Sequence, residues 1–465
     1  MSKDHSRSKT GVDLGKDSIG KLLLRLSLPA ILAQLTNALY SIINRMYLGN
    51  LPGQSHLALS ALGVCMPILI LITAFSSLVG MGGAPRVSAR MGKGDYAGAE
   101  RILGSCFTTI LLISATITLV LQLFMAPILQ MFGASGETLP YAMSYLRIYS
   151  LGTVFMQISL GMNFFISAQG FAKTSMITIL LGAGLNIILD PILIFGLGMG
   201  LPGAALATVI SQGVAAAWVM RFLLGPKTQL KIRRENMPIR WKILAPVLLL
   251  GLSPFAMQST EGLVSIAFNI RLRDMGGDVA VGAMTILTSI LQVGMMPVSG
   301  MSQGAQPILS FNLGARKADR VKEAFRILLF SSLGWSVTYW AVLMLFPGWF
   351  AGLFSSDPAL LETAVWAMRI YLAAQFISGA QIACQQTLVA VEQAKASLFL
   401  ALLRKLFLLV PLMFILPSIA GLGLTGVFLA QPTADLVAFT ITALVFYTRF
   451  SRVLRGLREG HVQEE

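Results

Sequence analysis

Charge is scarce in this chain. Only 12% of its 465 residues are Asp, Glu, Lys or Arg, against about 25% in soluble domains, so a water-solvated globule is excluded. Histidine is scarcer still. His5 and His461 lie in the tails and His56 in a short loop, which argues against haem ligation and histidine-based catalysis. The three cysteines, Cys65, Cys106 and Cys384, sit in apolar runs without CxxC spacing or a neighbouring histidine. They read as small packing residues, and neither a disulfide nor a metal site is expected. No GxxxxGK[ST] string occurs, so an ATP site is not expected in this chain. With no Ser/His/Asp set and no metal-ligand cluster, a membrane enzyme is a remote reading.

What is present is apolar. Hydrophobic residues make up 55% of the chain, and their long runs leave room for about a dozen helices of roughly 20 residues each. The expected fold is an all-α polytopic membrane protein. The formal charge of +15 would suit nucleic acid only with a basic face on a soluble fold. Here the bases fall at span ends, so the expected partner is the lipid bilayer and not nucleic acid. About twenty polar residues precede the first apolar run, unlike a cleavable signal peptide, so the first span is expected to be retained.

Apolar runs bounded by Gly, Pro and charge clusters predict spans near 21–48, 57–84, 99–123, 139–167, 174–196 and 201–224. Six more follow near 243–270, 279–308, 321–346, 358–388, 395–417 and 424–448. The even-numbered joints are basic, with Arg86, Arg90, Lys93 and Arg101 in the second and Arg316, Lys317, Arg320 and Lys322 in the eighth. Lys3, Arg7 and Lys9 add to the amino tail. The odd joints carry almost no bases, Arg271 and Arg273 excepted. The positive-inside rule then places both termini in the cytoplasm. The expected organisation is a cytoplasmic tail (1–20), a six-helix bundle (21–224), a cytoplasmic linker (225–242), a second six-helix bundle (243–448) and a cytoplasmic tail (449–465).

The chain repeats itself. Gly82, Pro85, Ser88 and Gly92 recur as Gly304, Pro307, Ser310 and Gly314, each 222 positions later (304 − 82). Arg147-Ile148-Tyr149 recurs as Arg369-Ile370-Tyr371 at the same offset, and Gly198-x-Gly200-Leu201-x-Gly203 as Gly421-x-Gly423-Leu424-x-Gly426 at 223 (421 − 198). A six-span unit has been duplicated. Because six is even, the copies are parallel, and two facing bundles imply a central cavity and alternating access.

These residues resemble the MATE (multidrug and toxic compound extrusion) transporters. The first span from Pro29 to Gly49, the G-x-x-P-x-x-S-x-x-x-G joint in both halves and the fifth-span string Asn186-Ile187-Ile188-Leu189-Asp190-Pro191 carry the likeness, together with Gly203-Ala204-Ala205-Leu206-Ala207-Thr208. It covers essentially the whole chain and is similar to the MepA-like subgroup. The resemblance implies two lobes forming a V-shaped cavity in a bacterial plasma (inner) membrane, and ion-driven export of bulky, often cationic and lipophilic compounds. Many members of the family carry an aspartate in the first span where this chain has Asn44. An amide does not titrate, so Asn44 can serve only as a hydrogen-bonding neighbour.

A carboxylate inside hydrocarbon is costly and is a functional candidate by default. Asp190 in the fifth span is the leading one, suited to taking up and releasing an ion. Asn186 lies one turn earlier on the same face, Thr208 in the sixth span offers a hydroxyl, and Pro191 frees the Ile187 carbonyl. Together they make an oxygen-rich set for H⁺ or Na⁺. A buried aspartate that caps a broken helix is the plainer alternative. Glu261 and Asp435 are candidates for substrate or a second ion. Gln34, Asn37, Asn163, Gln157, Gln292, Gln381 and Gln385 are candidates for lining a hydrated cavity, though such groups also join helices. Met257, Met284, Met295 and Met296 suit an adaptable pocket, with packing as the plainer role.

The expected function is secondary antiport of small organic compounds against H⁺ or Na⁺, with no cofactor beyond the coupling ion. A flippase for lipid-linked saccharides is the alternative of similar architecture. It requires a basic cavity, whereas the deep charges read from the sequence are acidic.

Overall fold

The computed structural model describes residues 12–49, 55–355, 357–419 and 421–459. Lys3, Arg7, Lys9, His5 and His461, and the side chain of His56, lie outside the described residues.

In hydrocarbon each backbone N–H and C=O must be paired within its own segment, which makes helix the solution for apolar runs of this length. Among the described residues nine helices are long and apolar enough to cross a membrane, or eleven once each of two bent pairs is counted as one span. The longest, Trp241–Gly314, breaks at Gly277 (φ 64°, ψ −162°) and makes two spans, which gives twelve. They are α1 (Ile19–Gly49), α2 (Ser55–Gly92), α3 (Tyr96–Met131), α4 (Leu139–Leu151 with Thr153–Ala168), α5 (Ala172–Gly196) and α6 (Leu201–Leu224). The second bundle holds α7 (241–276), α8 (278–314), α9 (Ala318–Leu345), α10 (Pro358–Tyr371 with Gln375–Ala390), α11 (Ala394–Ser418) and α12 (Gly423–Glu459). Large side chains such as Leu123, Phe330 and Leu345 stay exposed on the outer faces, as a lipid surface requires.

Three features depart from the expected spans. The joint at 271–278 is no loop: the chain turns at Gly277 alone, which adopts the positive φ without side-chain cost. Bends of 57° in α4 and 55° in α10 were not foreseen, since neither bend contains proline. A Cβ at Gly152, in the α4 bend, would meet Val209 of α6, so close helix approach is what this glycine permits. Finally, α12 continues as helix to Glu459 through most of what was read as tail.

The duplication shows in bonds as well as letters. Ser88 Oγ donates to the Ala168 carbonyl at 2.8 Å and Ser310 Oγ to the Ala390 carbonyl at 2.8 Å, with donor and acceptor both displaced by 222 (390 − 168). The lobes also meet reciprocally. A Cβ at Gly92 would strike the Phe311 carbonyl, and one at Gly314 would strike the Ala89 carbonyl. Gly82 lies against Val247, Gly251 against Leu78, and Gly304 against Ser27. Small residues let backbones approach in this way, and the exchange of the same contacts between copies makes the interface isologous in kind. These crossings lie toward the basic end, where Arg86 of α2 pairs with Glu392 of the second lobe at 3.2 Å.

The linker is a strap fixed to the first lobe. Gln169 Oε1 accepts from the Gln229 and Leu230 N–H groups at 2.9 and 3.0 Å, and Glu100 accepts from the Lys231 N–H at 3.0 Å and pairs with Arg233 at 3.0 Å.

Candidate functional site

Each lobe buries an acid, and the two environments differ. In the first lobe Asp190 of α5 has no exposed surface. With the Asn186 amide turned to satisfy both neighbours, its Nδ2 donates to Asp190 Oδ2 at 2.8 Å and its oxygen accepts from the Thr208 N–H at 3.1 Å. Thr208 Oγ1 donates to the Ala204 carbonyl at 3.0 Å. The Asn44 amide donates to the Tyr40 hydroxyl at 3.5 Å, and Tyr40 and Thr208 line one cavity. Asp190 Oδ1 and Asn44 Oδ1 are buried without a hydrogen-bond partner. Beside this cluster lies a cavity of about 30 Å³, lined by Asn37, Tyr40, Asn186, Thr208, Ser211 and Gln212 among others. A space of that size holds a water or a small ion. Directly after Pro191, α5 loosens into π turns over Ile192–Gly196, a geometry that recurs at functional sites.

In the second lobe the acids are matched by cations. Arg404 Nε donates to Asp435 Oδ1 at 2.8 Å and Gln431 Nε2 to Asp435 Oδ2 at 2.9 Å. Tyr371 OH donates to Gln431 Oε1 at 3.4 Å. Lys405 pairs with Glu261, whose side chain is 68% exposed. Arg404 and Lys405 sit on a second set of π turns, Leu403–Leu409 of α11. The expectation that the deep charges are acidic is therefore corrected: two bases lie at the same depth, each against a carboxylate. The reading from sequence missed both, although the argument that singled out deep acids applies equally to a base inside a span.

The cavity candidates divide. Asn37 lines the first-lobe cavity, and Gln34 lies three residues earlier on α1, half-buried. Gln381 is buried with its Oε1 unpartnered, and Gln385 donates to Met257 Sδ at 3.2 Å. Met295 accepts from Ser378 at 3.5 Å, Met296 is 9% exposed and Gln292 is exposed. Others bond to neighbouring helices or pack in the core, Asn163 with its Oδ1 left unpartnered. Gln157 donates to the Ile72 carbonyl at 2.8 Å and accepts from Ser76 Oγ, Asn163 donates to the Ser175 carbonyl at 3.2 Å, and Met284 packs in the second-lobe core with Leu287. Tyr40, Ser211 and Gln212 were missed. Their signal was faint, since a tyrosine or serine in a span is seldom more than packing or helix glue.

Two parallel six-helix lobes, joined by a strap and each burying a polar site within its spans, define a two-bundle membrane transporter. The chain belongs to the MatE family, whose sequence model matches residues 29–192 and 254–415, once in each lobe. It is 27% identical over 438 residues to the multidrug export protein MepA of Staphylococcus haemolyticus strain JCSC1435, covering 94% of this chain and 95% of that one. The MepA of Staphylococcus aureus strain NCTC 8325 / PS 47 is 26% identical over 432 residues, covering 93% and 94%. Among solved structures, an outward-facing multidrug resistance MATE family transporter of the MOP superfamily matches with a TM-score of 0.90 at 24% identity, over 97% of this chain and 100% of that one. A MOP superfamily transporter from Pyrococcus furiosus Vc1, described as having a binding pocket of reverse polarity, matches with a TM-score of 0.89 at 24% identity, over 96% and 99%.

Proposed function

We propose that this protein exports small organic compounds, lipophilic cations among them, across a bacterial plasma membrane in exchange for H⁺ or Na⁺. On this reading the basic end and both termini face the cytoplasm, and the lobes rock about their glycine crossings to expose the space between them to either side. The observation that carries it is Asp190, a fully buried carboxylate bonded through one oxygen to the Asn186 amide while the other oxygen has no hydrogen-bond partner, beside a cavity of ion size. A buried charge without a partner is expensive, so Asp190 gains by taking up a proton or a sodium ion and loses by releasing it. Uptake draws α1, α5 and α6 together through Tyr40, Asn186 and Thr208, and release loosens them, which is how an ion gradient couples to lobe movement. Multidrug export is the activity named for the staphylococcal relatives. Against the flippase alternative, the two bases of α11 that face acids of the second lobe, Arg404 and Lys405, are each paired with a carboxylate.

The test is accumulation of a fluorescent lipophilic cation in inside-out vesicles under an imposed pH or Na⁺ gradient. Wild type is expected to follow one gradient, and folded Asp190→Asn to follow neither. A variant that transports as wild type makes Asp190 structural and moves the search to Glu261. Failure of both proteins to move any cation favours the flippase.

A further inference from the structure

A cavity of about 590 Å³ lies at the basic end between the lobes, and its lining shares no residue with either acid site. Arg86 and Arg90 of α2 and Lys93 just after it reach it from the first lobe, and Arg449, Arg452 and Arg455 of α12 from the second. Lys242, at the start of α7, and Arg316, just after α8, complete a set of eight cations, of which Arg86 pairs with Glu392 at 3.2 Å and Arg90 with Asp95 at 3.0 Å, while Glu459 is the other carboxylate in the lining. Topology asks only that bases lie near span ends. It does not ask them to converge on one concavity from both lobes, where like charges repel.

The backbone supplies an independent observation. Among the described residues two non-glycines hold a positive φ, Arg316 (55°) and Glu392 (62°), and both line this cavity. Their counterparts in the first copy are Gly94 (φ 79°) and Gly170 (φ 86°), each 222 positions earlier (316 − 94, 392 − 170). Glycine takes such a φ without side-chain cost. The second copy keeps both turns yet places a charged side chain in each, at a backbone cost that both residues bear around one cavity.

We propose that this cavity binds a phosphate-bearing anion, and that the anion ties α2 to α12 and so holds the lobes together at the basic end. Guanidinium forks match phosphate oxygens in pairs, and basic pockets between helices on the cytoplasmic side hold acidic headgroups. The ligand chemistry is that of an acidic phospholipid headgroup from the adjoining leaflet or of a soluble diphosphate. The proposal concerns binding alone and stands apart from the ion-exchange reading.

The experiment follows thermal unfolding of the purified full chain in detergent, with phosphatidylglycerol, phosphatidylcholine or inorganic pyrophosphate added. A rise of several degrees with phosphatidylglycerol alone assigns the site to a lipid headgroup, and a rise with pyrophosphate as well assigns it to a soluble anion. In Arg452→Gln/Arg455→Gln the concentration for half-effect is expected to increase ~5-fold for each charge removed, from about 1 kcal/mol per base. Arg316→Gly restores the residue of the first copy, so it is expected to match or exceed wild type in stability without ligand while the ligand-dependent rise shrinks. No rise with either anion, or a rise undiminished in both variants, overturns the proposal.

Discussion

The two copies of one bundle treat the same depth of membrane in opposite ways. Where the first lobe has Gly182, Thr208 and Gln212 around its small cavity, the second has Arg404 (404 − 182 = 222), Gln431 and Asp435 (431 − 208 = 223). The cavity-forming glycine has become a guanidinium and the glutamine an aspartate, and the pair closes on itself at 2.8 Å. Asp190 meanwhile falls at Leu412 of the second copy (412 − 190). Among the described residues, one lobe thus buries an acid bonded to an amide, and the other holds acids paired with basic side chains. On the proposed reading, duplication supplied two pockets, of which one exchanges an ion and the other is closed by its own ion pair.

The sharpest way to break this comparison is to remove a fixed cation. Arg404→Leu leaves Asp435 buried and unpaired, which is expected to destabilise the protein by about 3–5 kcal/mol, and adding Asp435→Leu is expected to recover most of that. Asp190→Asn removes no ion pair, so its thermal unfolding is expected to stay close to wild type. Equal losses in Arg404→Leu and Asp190→Asn, read by unfolding in detergent, contradict the distinction.

A smaller effect tests where the lobes remain alike. Gly92→Ala and Gly314→Ala each push a methyl into the facing carbonyl, and overpacking of this kind costs about 1–3 kcal/mol. Because the contact is reciprocal, the two variants are expected to lose similar stability and to hold the basic ends further apart, as distances between spin labels on α2 and α8 will report.

The smallest returns to a difference. Asp95 caps α3 through the Gly98 N–H at 2.8 Å, whereas its counterpart at the start of α9 is Lys317, which gives no such cap. Asp95→Ala is expected to cost about 1 kcal/mol. The Gly98 N–H and then Arg90 hold the Asp95 carboxyl below its usual range. Its contribution is therefore present above the ordinary carboxylate pKa and lost as pH falls through the lowered one, a dependence that unfolding at a series of acid pH values will show for wild type and not for the variant.

Much of this was legible in the sequence. The duplication, the twelve spans and the pairing of Asp190 with Asn186 follow from offsets, apolar runs and helical spacing, whereas Thr208, on another span, was joined to them through the family resemblance. Arg404 and Lys405 escaped because two bases in the apolar run 395–417 leave its mean hydropathy high, and nothing local says that they face Asp435 and Glu261 across helices. Gly82, Gly92, Gly304 and Gly314 were legible as markers of the repeat but not as the points where the lobes touch, since a close approach belongs to two helices at once. The bends of α4 and α10 lacked proline, the one breaker that sequence reading weights heavily inside a helix.

The measurement closest to the central claim is binding of a fluorescent lipophilic cation to the purified protein in weakly buffered solution, with proton release and Na⁺ dependence followed together. Wild type and Arg404→Gln/Asp435→Asn, if folded, are expected to show the same ion linkage and Asp190→Asn none. Linkage that survives in Asp190→Asn and vanishes in the Arg404/Asp435 variant contradicts the account and places the exchangeable site in the second lobe.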